Sequence, residues 1–66
     1  MDWKKAVTTL KAHVGVETDK ALYEAVGFHN TNLASIKRGG ATFGNVERLC
    51  KACGVNVSTF ISWGEK

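Results

Sequence analysis

Apolar residues recur three and four positions apart along most of this chain, and glycines interrupt the rhythm. That spacing puts side chains on one face of a helix. Trp3, Val7, Leu10 and Val14 share such a face, so a helix is predicted over about 2–14, with Asp2 as its cap and Gly15 as its stop. Lys4, Lys5 and Lys11 fall off that face and read as solvated, with phosphate contact by Lys4 and Lys5 the sharper alternative. Val16-Glu17 is a short bridge. Leu22, Ala25 and Val26 stripe a second helix over about 18–26, and Leu33 with Ile36 anchor a third over about 30–38. Phe43, Val46, Leu49, Cys50 and Cys53 line a fourth over about 42–53, capped by Thr42 and closed by Gly54. Val57, Phe60 and Ile61 face inward from a last short helix over about 57–62, opened by Asn56 or Ser58. No stretch alternates with the period of a strand. The expected fold is all-α, a compact bundle of four to five helices forming one domain over residues 1–66.

Residues 18–40 organise the rest. Thr18 can cap the second helix through its hydroxyl. Gly27 can adopt the left-handed conformation that stops it, Phe28 plugs the corner, and Gly39-Gly40 ends the third helix. Two short helices joined by a glycine turn form a helix-turn-helix, whose second member protrudes. With Leu33 and Ile36 turned inward, Thr31, Ala34, Ser35 and Arg38 lie on the outer side, and Asn30 stands at the exposed first turn. Short polar side chains on such a face can reach base edges in a major groove. Lys37 and Arg38 sit at the helix end, where cations suit the dipole and can meet a phosphate.

The series Asp19…Leu22…Gly27-Phe28…Leu33…Ile36…Gly39 resembles the helix-turn-helix of Cro/CI-type phage repressors. The resemblance continues through Thr42-Phe43…Cys53-Gly54-Val55 to Trp63-Gly64-Glu65 and covers roughly residues 18–65. It implies a lambda-repressor-like domain that binds double-stranded operator DNA, usually as a homodimer. Two positions depart from the family pattern. Tyr23 stands where alanine is usual, and Asp19 where a phosphate-contacting glutamine is frequent.

Several residues carry two readings. Lys20, in the first turn of the second helix, can replace the phosphate contact that Asp19 does not offer, or pair with Glu24 four residues on. His29 can cap the third helix, touch a phosphate, or serve structurally, which is the commoner role of a lone histidine near an apolar corner. The bare backbone of Gly39-Gly40-Ala41 can approach a phosphate or simply stop the helix. Thr42 and Asn45 lie at the positive end of the fourth helix, where a phosphate oxygen is favoured. Trp63 either covers the core against the first helix or anchors a partner, with the core preferred.

Composition adds little to this and subtracts several classes. Nine Lys and Arg against six Asp and Glu give a net charge of +3, a weak preference for polyanions. A hydrophobic content of 44% argues against disorder. No apolar run approaches the ~20 residues of a membrane span. The start, Met1-Asp2-Trp3-Lys4-Lys5, leads into no apolar block, so no signal peptide and a cytoplasmic location are expected. Cys50-x-x-Cys53 lacks the preceding strand of a redox motif and lacks zinc partners beyond His13 and His29, so both read as structural thiols with no metal. No acid pair, nucleophile motif or phosphate-binding glycine loop suggests an enzyme, a cofactor or a small-molecule substrate. The expected function is sequence-specific DNA binding as a phage-type transcriptional regulator. Asn30, Thr31 and Ser35 read bases, and Lys20, Lys37, Arg38, Thr42 and Asn45 hold the backbone. A protein-interaction module without DNA binding, such as an antirepressor or adaptor, is the alternative.

Overall fold

In the computed structural model, which describes residues 1–40 and 42–65, five helices occupy the periodic segments. They are α1 (Trp3–Val14), α2 (Asp19–Val26), α3 (Asn30–Lys37), α4 (Phe43–Ala52) and α5 (Val57–Glu65). The described residues contain no strand. Local chemistry explains the boundaries. Asp2 accepts from the Lys5 N–H, Thr18 from the Ala21 N–H and Thr42 from the Asn45 N–H, each satisfying an orphan donor of a first turn. Gly27 turns the chain at φ +68°, a conformation costly for any residue with a Cβ. Phe28, directly after it, is buried beneath the α2–α3 corner.

One core joins all five helices. Ala6, Val7 and Leu10 of α1 meet Leu22, Leu33, Ile36, Val46, Leu49, Cys50 and Phe60. The α1–α5 seam is built from rings. Trp3 packs on Phe60 with centroids 6.3 Å apart, and Trp63 sits 6.4 Å from Phe60 and 5.6 Å from His13 of α1. Trp63 is thus half-buried against α1 and the core. The Cα radius of gyration, 10.2 Å, is about that of a close-packed chain of this length. Among the described residues, no helix is long and apolar enough to cross a membrane.

Four apolar residues depart from the expected stripes, among them Ile61, which is only half-buried and not packed on the core cluster. Ala25 is exposed, because α2 turns its Tyr23 side to the core along with Leu22 and Val26. Phe43 is 63% exposed. At about 100° per residue it lies at the edge of the arc set by Val46, Leu49, Cys50 and Cys53, and the first turn of α4 carries it outside the core. Ala6, outside the expected stripe of α1, is fully buried. Helix α5 also runs past its expected end to Glu65, carrying Gly64 within it. That glycine is a point of contact rather than a stop. The Asp2 N–H donates to the Gly64 carbonyl at 2.8 Å, and a Cβ on Gly64 would lie 2.7 Å from the Asp2 carbonyl oxygen.

Candidate nucleic-acid interface

Helix α3 is a poor helix by its own sequence. Asn30, Thr31 and Asn32 are weak helix formers, and His29 stands at the cap position without a side-chain capping bond. Its shape therefore comes from what it packs on. Leu33 and Ile36 are buried, and Gly39, at φ +78°, closes the helix against the edge of the Trp3 indole. A Cβ at Gly39 would come within 2.9 Å of the ring. The first helix thus fixes the end of α3.

The outer face of α3 carries Asn30, Thr31, Ala34 and Arg38, all exposed, with Ser35 half-buried. These residues are not independent. The Thr31 hydroxyl donates to the Asn30 side-chain carbonyl at 3.3 Å, which leaves the amide N–H groups and a second lone pair on that oxygen. Arg38 donates to the Ser35 hydroxyl at 3.4 Å. Of the backbone-holding candidates, Lys20 is exposed in the first turn of α2 and forms no ion pair with Glu24 among the described residues. Thr42 is exposed, and its oxygen accepts from the Asn45 N–H at 3.4 Å, so its own O–H remains available to donate. Asn45 is half-buried. His29 is exposed, not packed into the corner. Ala41, the third residue of the loop after α3, lies outside the described residues.

Lys37 has an internal partner. Its ammonium donates to Asp19 Oδ2, while the Lys11 ammonium sits 3.0 Å from Asp19 Oδ1. The carboxylate of α2 thereby ties together α1, α2 and α3. The Lys37 hydrogen bond holds the Asp19 carboxyl below its usual range, against the opposing effect of partial burial, and Lys11 adds to the depression. Sequence patterning gave no sign of this cluster, since Lys37 and Asp19 are 18 residues apart.

Beside the cluster is a hollow of about 340 Å³ lined by Lys4, Asp19, Tyr23, Asn30, Lys37 and Arg38, floored by Leu33 and Ala34. Tyr23 forms part of its wall. A second hollow, toward the chain termini, shares Lys4, Lys37 and Arg38 and adds Asp2 and Glu65.

No family model, curated protein or solved structure matches this chain.

The cysteines have no part in this face. Cys50 is buried in the core, where burial pushes its thiol up to about 11, the nearby Cys53 adding to the shift. Cys53 is half-buried, and burial raises its thiol too. Both are protonated near neutral pH, the unreactive form. No group of three or more His, Cys, Asp or Glu side chains among the described residues is placed to hold a metal ion.

Proposed function

We propose that this chain is a sequence-specific DNA-binding domain of the lambda-repressor-like helix-turn-helix type, a phage-type transcriptional regulator acting in the cytoplasm. Helix α3 enters the major groove. The observation that carries this is its division into two sides: Leu33 and Ile36 buried, Asn30, Thr31, Ala34 and Arg38 exposed. Asn30 is the principal base reader, because an amide can bond adenine through two atoms at once. Thr31 orients it through the bond to its carbonyl oxygen, and Ser35 adds a hydroxyl at the edge of the face. Arg38, Lys20, Thr42 and Asn45 hold the phosphate backbone. Four such contacts are few for tight binding at physiological salt, so two copies act together on a palindromic operator.

Selection of binding sites from random duplexes, followed by gel shifts, tests this. Asn30→Ala should cost ~1–3 kcal/mol and blur one base position, while Arg38→Ala should weaken all sequences alike and flatten the salt slope by ~1. Full-strength binding by both variants would remove the interface. Sedimentation with operator should show two protomers per site.

One feature favours a second reading, a protein-interaction module on the same fold. Phe43 is a large apolar side chain exposed at the start of α4. Failure to bind any duplex at any salt concentration would select this reading.

A further inference from the structure

We infer that the hollow between α1, α2 and α3 is a seat for one phosphate of the DNA backbone, formed by Lys4 and Arg38, from which Asp19 withholds Lys37. This rests on the DNA-binding reading above and adds to it a contact from the first helix.

Three cations, Lys4, Lys37 and Arg38, line the hollow against a single acid, Asp19. That acid is already matched by Lys37 and Lys11. One carboxylate thus answers two ammoniums, and Lys37 is tied to it rather than free in the hollow. Lys4 and Arg38 are exposed, and neither forms an ion pair among the described residues. A backbone phosphate placed there meets two cations that are not paired with Asp19, the acid of the same hollow. The neighbouring hollow is less suitable, because Asp2 and Glu65 line it along with the same cations. Lys4 is also well placed mechanically. Its neighbour Trp3 is fixed between Phe60 and Gly39, so the first turn of α1 is registered against the end of α3. Asn30 lines the same hollow, which sets the seat beside the principal base reader.

The test compares Lys4→Ala, Lys4→Arg and Lys37→Ala with wild type, on the selected duplex and on a scrambled one, from about 50 to 200 mM salt. Loss of one phosphate contact lowers the salt slope by about 0.9, so the gap between Lys4→Ala and wild type should narrow roughly three- to fourfold over that range. The loss should be equal on both duplexes, Lys4→Arg should restore the slope, and Lys37→Ala should lower it by less than Lys4→Ala does. In parallel, inorganic phosphate is titrated into the protein alone and followed by NMR. The Lys4 and Arg38 amide signals should shift, and Lys4→Ala should abolish the effect. Where wild type binds duplex, an unchanged slope in Lys4→Ala overturns the seat. Asn30→Ala still judges base reading separately. Where wild type binds no duplex, the DNA reading fails on its own, and the absence of phosphate shifts at Lys4 and Arg38 overturns the seat as well.

Discussion

The α1–α5 seam and the attachment of α3 hold this molecule by different physics. Along the seam, Trp3, Phe60 and Trp63 interlock as rings, and Gly64 lets the chain at Asp2 lie directly on α5. Helix α3, poor in intrinsic helix formers, is held by two buried aliphatic residues, the Trp3–Gly39 contact and the Asp19 ion cluster. Apolar burial is insensitive to salt and to mild changes of pH. A half-exposed ion cluster is sensitive to both. The molecule therefore has a firm frame and a third helix attached partly by charge.

The strongest way to break this comparison is at Phe60. It is fully buried and touches both tryptophans. Phe60→Ala should destabilise by about 3–5 kcal/mol. A domain this small has roughly 3–10 kcal/mol in total, so much of the population should unfold. Urea denaturation followed by tryptophan fluorescence measures the loss. A cost no greater than that of Asp19→Asn would show that the seam is not the frame.

Three glycine substitutions sharpen the contrast at smaller cost. At Gly64 an added Cβ meets backbone, the Asp2 carbonyl oxygen at 2.7 Å, which cannot swing aside like the end of a side chain. At Gly39 it meets the Trp3 ring and also a positive φ. Each alanine should cost about 1–3 kcal/mol through overpacking. Gly27→Ala is the control: its φ is +68° with nothing within 4 Å, so its cost is conformational alone. Thermal melts of the three variants separate packing from backbone strain. If Gly27→Ala proves as costly as Gly39→Ala, the indole contact does not hold the end of α3.

Much of this frame was legible in the residues themselves. Leu33 and Ile36, three apart, announced the inner side of α3, and Thr18 and Thr42 announced their helix starts because capping is local chemistry. Phe43 misled because periodicity fixes spacing more firmly than phase, and the first turn of a helix has few neighbours to fix its phase. The last helix was expected to end near residue 62, before Gly64, because a glycine required by a close approach looks the same in sequence as one outside a helix. The hollow was illegible altogether. Lys4, Asp19 and Lys37 come from three helices, and no spacing in the sequence links them, although Lys37 and Lys4 each carried a phosphate reading of their own. Tyr23 was visible as an odd residue, but its place in the wall was not.

The smallest expected effect bears most directly on how α3 is attached. Asp19→Asn removes the charge that Lys11 and Lys37 share, and an ion cluster this exposed should contribute about 1 kcal/mol or less. The pH dependence identifies that contribution. The folded protein holds the Asp19 carboxyl below its ordinary value of 3.8. Stability from the cluster is therefore fully present above that value and fades as pH falls through the depressed folded value. Asp19→Asn lacks it at every pH. The difference in melting temperature between the two proteins should be present well above 3.8 and close as pH falls below it, and added salt should shrink it at the higher pH. Phe60→Ala should keep its deficit under both changes, since a lost ring neither titrates nor screens. A gap between Asp19→Asn and wild type that neither acid nor salt reduces would mean that the substitution disturbs packing, and that α3 is held by apolar contacts like the rest of the fold.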